Sequence, residues 1–160
     1  MTEMTTVGKI LLVDDEDIIL TSLRTFFELE TDYEITTFLS SEEALAAASE
    51  MDVDVVISDY LMPGLDGVTF LGHFKDIHPH APRILLTGYA DKENAIRAIN
   101  EVGLFQYIEK PWDSDNLLLV LRNAIDRRRL IKALDAKVSE INNAYGQLQG
   151  LQDDILRTFI

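Results

Sequence analysis

Short apolar or alternating runs follow one another along the first two thirds of the chain, separated by segments whose apolar residues recur every three or four positions. The runs of four to six residues, several rich in β-branched side chains and ended by polar ones, predict strands of a buried parallel sheet. They occupy residues 9–13, 33–38, 53–57, 83–86 and 105–108. The segments with helical spacing occupy residues 17–30, 40–48, 68–77 and 91–102, followed by a long stretch after a cap at Asp113 or Ser114.

Five predicted strands therefore alternate with five predicted helices, joined by short loops. Right-handed crossovers between parallel strands place helices on both faces of the sheet. We predict an α/β fold, a doubly wound five-stranded parallel sheet.

The last helical stretch follows a stricter pattern than the others. From Leu117 to Phe159, thirteen positions alternate steps of three and four, and only Arg127 and Gln152 among them are strongly polar, a pattern typical of a coiled-coil heptad. We predict a homodimer along this seam, whose central residues are Ile131, Leu134, Val138, Ile141, Tyr145 and Leu148. The alternative is a single helix folded back on its own domain, which Gly146 and Gly150 favour locally because glycine weakens a helix.

Composition and charge exclude several classes of protein. The chain has 160 residues and no cysteine, so a disulfide scaffold and a thiol nucleophile are excluded. Its net charge is −14, all of it within residues 1–110, which disfavours direct binding of nucleic acid. No apolar stretch is long enough to span a membrane, and residues 1–7 do not resemble a signal peptide. We expect a cytoplasmic protein that contacts neither membrane nor nucleic acid.

Polar residues follow four of the predicted strands at the point where each strand ends. These residues are Asp14 and Asp15, Asp59, Thr87 and Lys110. Because ligands of doubly wound sheets bind at the carboxyl ends of the strands, we expect these side chains to converge. One aspartate at a strand end is usually a helix cap, but four strands agree here. Clustered carboxylates suit Mg²⁺, a hard cation that can organise a phosphoryl group.

Four segments in this order carry a family resemblance. The segments are Val13-Asp14-Asp15-Glu16, Asp59 to Gly67, Leu86-Thr87-Gly88-Tyr89-Ala90 and Tyr107-Ile108-Glu109-Lys110-Pro111. Together they resemble the receiver domain of two-component response regulators. The resemblance covers about residues 7–127 and implies a flavodoxin-like fold. We accordingly expect a receiver domain at residues 1–127 and a helical extension at residues 128–160. Because the chain ends on the apolar seam, we also expect an output domain beyond it.

The resemblance assigns a role to each of these residues. Asp59 accepts a phosphoryl group from a sensor histidine kinase, and Lys110 pairs with Asp59 and the phosphoryl oxygens. Thr87 hydrogen-bonds the phosphoryl group once it is present, and Tyr107 turns inward with it as a switch. The implied Mg²⁺ ligands are Asp14, Asp15, Asp59 and the backbone carbonyl of Leu61. Such a domain is a signalling module that catalyses only its own phosphorylation and slow dephosphorylation.

Another class of protein also forms an aspartyl phosphate, the phosphatases of the haloacid dehalogenase type. Their pattern is Asp-x-Asp-x-Thr or Val after the first strand. The corresponding segment here, Asp15-Glu16-Asp17-Ile18-Ile19, lacks the final residue. Their nucleophile follows the first strand, whereas Asp59 follows the third. Both differences argue against this class, which we keep as the alternative to a receiver domain.

Overall fold

The computed structural model describes residues 7–88 and 91–159 of the chain. Its sheet has five parallel strands in the order β2-β1-β3-β4-β5. The strands are β1 (Lys9–Val13), β2 (Glu34–Phe38), β3 (Val55–Asp59), β4 (Arg83–Thr87) and β5 (Gln106–Glu109). The helices are α1 (Asp17–Glu30), α2 (Ser41–Ala48), α3 (Gly67–Ile77), α4 (Lys92–Val102) and α5 (Ser114–Phe159). The predicted fold class is confirmed.

Alternate residues of each strand face opposite sides of the sheet and build two separate cores. Ile10 and Leu12 of β1 pack with α1 and the first part of α5. Leu11 and Val13 of the same strand pack with α2, α3 and α4. The strand residues in both cores are buried, which is why the runs read as continuous apolar segments.

One strand differs from its predicted bounds in a way that matters for the site. β3 covers Val55–Asp59 rather than residues 53–57. Asp59 pairs in register with Leu86 of β4, and all five residues of β3 are buried. The polar end of the run therefore belongs to the strand itself, and Asp59 is held by the sheet.

Side-chain caps and one glycine define several helix ends. Ser40 and Asp66 accept hydrogen bonds from the backbone N–H groups of Glu43 and Thr69, at the starts of α2 and α3. α4 ends at Gly103, whose φ of +70° favours glycine. These ends fix the lengths of the loops that connect the strands to the helices.

The chain divides into two units, residues 1–128 and residues 129–160. In the second unit, the described residues 132–158 are all exposed. Its apolar side chains include Leu134, Val138, Ile141, Tyr145 and Leu148, each more than half exposed. Ile131 is partly buried. No helix in the described part of the chain is both long and apolar enough to cross a membrane.

Candidate phosphoryl-acceptor site

Three aspartates meet where the strand order of the sheet reverses. β1 lies between β2 and β3: the chain runs from β1 to β2 on one side and then crosses back to β3 on the other. The strand order therefore reverses at β1, which opens a crevice at the carboxyl edge. Asp14 and Asp15 follow β1, and Asp59 is the last residue of β3. Asp14 is 1% exposed and Asp59 is 5% exposed, whereas Asp15 faces solvent.

Lys110, just after β5, brings a cation to the same edge. Its Nζ lies 2.7 Å from Asp59 Oδ1 and 3.6 Å from Asp14 Oδ2. The backbone N–H of Lys110 donates to the carbonyl of Thr87 at 2.8 Å, which ties the residue to the end of β4. The contact with Asp59 is a short charge-assisted hydrogen bond, so one of the two carboxylate oxygens of Asp59 is paired with a cation.

Burial and charge act against each other on these groups. Burial raises the pKa of Asp14 to about 6, although the backbone N–H of Glu16 donates to this carboxylate at 2.9 Å. Burial also raises the pKa of Asp59, and the hydrogen bond from Lys110 opposes this only in part. Burial lowers the pKa of Lys110, but the hydrogen bond and negative charge of Asp59 outweigh it, so its pKa is raised. The pocket favours additional positive charge.

The three carboxylates have a geometry that a metal ion can use. Asp14, Asp15 and Asp59 each offer an oxygen, and these oxygens lie within 4.8 Å of one another. Asp14 Oδ2 is buried and makes no hydrogen bond, and Lys110 Nζ approaches it only to 3.6 Å, so a metal ion could supply the close partner that a buried carboxylate oxygen needs. Carboxylate oxygens are the ligands that Mg²⁺ prefers, so the residues fit this ion.

A cavity of about 210 Å³ opens over these groups. It is lined by Asp15, Glu16, Asp59, Tyr60, Leu61, Gly88, Asp91 and Lys110. Leu61, whose backbone carbonyl was predicted as a metal ligand, borders the pocket with its side chain largely exposed. Glu16 and Asp91 were not predicted as site residues. Two signals could have identified them: Glu16 belongs to the acidic run that begins at Asp14, and Asp91 lies in the loop that follows β4.

Thr87 and Tyr107 lie close to this pocket without lining it. Thr87 is buried, and its hydroxyl donates to the carbonyl of Gly88 at 3.1 Å rather than to Asp59. Tyr107 pairs in register with Leu85 and packs, partly buried, against the core beneath α2, α3 and α4. Tyr89 and Ala90, which complete the predicted threonine segment, lie outside the described residues.

Close backbone packing holds the end of β3. The backbone N–H of Gly67, the first residue of α3, donates to the carbonyl of Tyr60 at 2.7 Å. A Cβ added at Gly67 would overlap the backbone carbonyl oxygen of Asp59 and stand 2.9 Å from the Cα of Tyr60. The absence of a side chain at residue 67 therefore allows α3 to begin directly against the end of β3.

This sheet order, with an acidic pocket and a lysine at the switch point, defines a doubly wound α/β domain with a candidate phosphoryl-acceptor site. The model of the response regulator receiver domain family matches residues 10–122. The chain belongs to this family, and the predicted resemblance is confirmed.

Known relatives and solved structures agree with this assignment. The chain is 38% identical to the hydrogenase transcriptional regulatory protein HoxA of Cupriavidus necator over 76% of its own length and 25% of that protein. It is 34% identical to the regulatory protein AtoC of Escherichia coli, over 82% of its own length and 27% of AtoC. The chain thus spans about a quarter of these relatives.

A crystal structure of a receiver domain protein from Clostridium thermocellum is similar with a TM-score of 0.73 at 39% identity. The match covers 78% of this chain and 99% of that one.

Proposed function

We propose that Asp59 accepts a phosphoryl group from a sensor histidine kinase in a reaction that depends on Mg²⁺. The observation that supports this most directly is the contact of 2.7 Å between Lys110 Nζ and Asp59 Oδ1 in a pocket of converging carboxylates. The second oxygen of Asp59 remains the candidate nucleophile. Incubation with acetyl phosphate and Mg²⁺, followed by intact-mass measurement, should add one phosphoryl group.

Each remaining residue of the pocket has a separate role in this proposal. Asp14, Asp15, Asp59 and the backbone carbonyl of Leu61 would hold Mg²⁺, which offsets the repulsion between carboxylates and an incoming anion. Lys110 neutralises charge on the phosphoryl oxygens, because phosphoryl transfer depends mainly on positioning and electrostatic stabilisation. These roles agree with the buried Oδ2 of Asp14, which makes no hydrogen bond, and with the position of Lys110 between two carboxylates.

The proposed switch involves Thr87 and Tyr107. Thr87 is one residue past the register partner of Asp59, and its hydroxyl would turn from the Gly88 carbonyl to a phosphoryl oxygen. Tyr107 lies on the neighbouring strand and would follow into the core beneath α4. Two alternative hydrogen-bond partners for one hydroxyl give the domain two states that phosphorylation can bias.

Magnesium binding should depend on pH through Asp14. Its pKa rises from 3.8 to about 6, so the ionised carboxylate lowers the stability of the metal-free fold above about pH 6. This cost fades as the pH falls, because the folded protein then holds Asp14 in its neutral, protonated form. The same proton competes with the metal for the carboxylate. The increase in Tm on adding Mg²⁺ should thus be larger near about pH 7.5 than near about pH 5.

Thermal unfolding followed by circular dichroism, with and without Mg²⁺ at both pH values, measures this difference. Asp14→Asn removes one titrating ligand, and the remaining Mg²⁺ effect should then vary less with pH, the residual variation coming from Asp59, whose pKa burial also raises. An equal increase in Tm at both pH values in the unaltered protein would contradict the assignment of Asp14.

We further propose that the second unit carries the phosphorylation state to an output domain and pairs two chains. Its support is the exposed stripe at alternating steps of three and four, including Leu134, Val138 and Ile141. An isolated helix that exposes such a stripe is marginal in water, and a second copy is the simplest partner that buries it. Ile131, Val138 and Tyr145 share one heptad position, and Leu134, Ile141 and Leu148 share the other. β-Branched residues at the first position and leucines at the second favour two helices over three or four in a parallel coiled coil.

Charges placed on the seam should abolish the dimer. Leu134→Asp with Ile141→Asp puts two like charges into each copy of the interface, where burying them unpaired is costly. Sedimentation of the full chain should show a dimer, and the double variant and a version ending at Arg129 should be monomeric.

The matched control uses Ala136→Asp with Asn143→Asp, two residues beyond each seam position and on the outer side of the heptad. This variant should remain dimeric. A full chain that is monomeric at high micromolar concentration would reject the coiled coil, and a dimer that survives truncation at Arg129 would place the interface on the receiver domain.

The comparisons do not support the alternative phosphatase of the haloacid dehalogenase type, because the matched family and relatives are response regulators. HoxA of Cupriavidus necator is named a transcriptional regulatory protein. We assign any contact of the present protein with nucleic acid to an output domain, since this chain carries a net charge of −14.

A further inference from the structure

Two carboxylates border the acceptor pocket in addition to the three that could hold a metal. Glu16 precedes α1 and Asp91 precedes α4, the position where a side chain often caps a helix. Neither side chain makes a cap hydrogen bond. Asp91 Oδ2 lies 3.8 Å from where a Cβ on Gly88 would stand, and the charge of Glu16 acts on Lys110. Both carboxylates therefore add negative charge to the lining of the cavity.

The balance of charge in the pocket is strongly negative. Asp15, Glu16, Asp59 and Asp91 line the cavity, and Asp14 lies buried beside Lys110. Among the described residues that line the cavity, Lys110 is the single cation. A bound Mg²⁺ offsets two of these charges and leaves the pocket negative. Charge of one sign in a cleft changes the local concentration of a charged reactant, and salt weakens this effect.

We infer that Glu16 and Asp91 are specificity-determining residues that disfavour small dianionic phosphoryl donors. The inference rests on the proposed function, because it concerns the donor from which Asp59 takes its phosphoryl group. A phosphohistidine on a protein enters together with the side chains around it, so a cationic protein surface can offset the two carboxylates. A free acyl phosphate has no such compensation.

The transfer step is the same for either kind of donor. A bond forms between an oxygen of Asp59 and phosphorus. With acetyl phosphate, the bond between phosphorus and the acyl oxygen breaks, and acetate leaves with the electron pair. With phosphoramidate, whose nitrogen is already protonated, the bond between phosphorus and nitrogen breaks and ammonia leaves. At neutral pH, acetyl phosphate carries two negative charges and phosphoramidate carries one net negative charge.

The test compares labelling rates with these two donors at low ionic strength. The Mg²⁺ concentration that saturates each variant is first determined by titration and is then used for that variant. In Glu16→Gln/Asp91→Asn, labelling by acetyl phosphate should rise about threefold to tenfold. Labelling by phosphoramidate should rise by roughly the square root of that factor, because the donor carries half the charge. Both increases should shrink when ionic strength is raised to about 0.5 M.

The control variant Glu30→Gln/Asp32→Asn removes the same two charges at exposed positions at and just beyond the end of α1, away from the carboxyl edge of the sheet. It should label at the unaltered rate with both donors. Equal rate increases for the two donors, or no increase in the pocket variant, would overturn the inference while leaving the proposed function intact. A lack of labelling of the unaltered protein by either donor would remove the proposed function and this inference together.

Discussion

Replacing Asp59 by alanine is expected to abolish phosphorylation completely. Asp59 is the carboxylate that Lys110 contacts at 2.7 Å, and it stands at the end of β3 against the cavity. Asp14 is 1% exposed and is not among the residues that line the cavity, and Asp15 faces solvent without the contact to Lys110 that Asp59 has. After incubation with acetyl phosphate and Mg²⁺, the intact mass of Asp59→Ala should be unchanged, whereas the unaltered protein should gain one phosphoryl group.

The same substitution at Asp76, an exposed residue of α3, controls for loss of one carboxylate. Asp76→Ala should be labelled at the rate of the unaltered protein, and circular dichroism should show that both variants are folded. Continued labelling of Asp59→Ala at an unchanged rate would exclude Asp59 as the acceptor and direct attention to Asp15.

The second large effect should follow from a single added methyl group at Gly67. Gly67→Ala should lower the free energy of unfolding by about 3 kcal/mol, the upper part of the range for overpacking a core. The new Cβ would overlap the carbonyl oxygen of Asp59 and lie 2.9 Å from the Cα of Tyr60. Both are backbone atoms, which cannot rotate away, so α3 or the end of β3 must move. Urea unfolding gives the difference, and the rate of labelling at Asp59 should fall with it.

Gly72, in the same helix, provides the matched control. The nearest atom to an added Cβ there is Val102 Cγ1 at 4.0 Å, which is ordinary contact. Gly72→Ala should leave stability unchanged or raise it by up to about 1 kcal/mol, since alanine favours helix over glycine. If the two variants unfolded at the same urea concentration, the packing of α3 against Asp59 would not have the importance that the structure gives it.

Much of the fold could be predicted because burial and periodicity agree along most of the chain. β1 and α1 have the bounds that the apolar pattern indicated. β3 was predicted two residues early, because Ser58 and Asp59 are polar and the apolar run ends before them. Both side chains are buried by the sheet and its loops, and the hydroxyl of Ser58 donates to the carbonyl of Asp59. The polar residues at the end of this apolar run therefore indicated the position of the candidate site and did not indicate exposure to solvent.

The rest depended on contacts between segments that are distant in sequence. Arg83 opens β4, where a charged residue would be expected to face solvent, yet it is 7% exposed. Its guanidinium donates to the carbonyls of Ala81 and Gly103 at 3.2 and 2.9 Å. Likewise, the seam pattern included Arg127, whose guanidinium carbon instead lies 5.5 Å from the ring centroid of Phe105. Sequence spacing contains no information on such partners.

The division of the core by the sheet has a consequence for protein engineering. Ile10 and Leu12 contact one set of helices, and Leu11 and Val13 contact the other. Substitutions at distant sites that share no partners usually have additive effects on stability, which applies to helix side chains on opposite faces of the sheet rather than to adjacent residues of one strand. Libraries for redesigning the two layers can therefore be screened separately and their best members combined. The layer with α2, α3 and α4 contains Tyr107, a residue of the proposed switch, so randomising the α1 and α5 layer is the safer route to a more stable receiver domain.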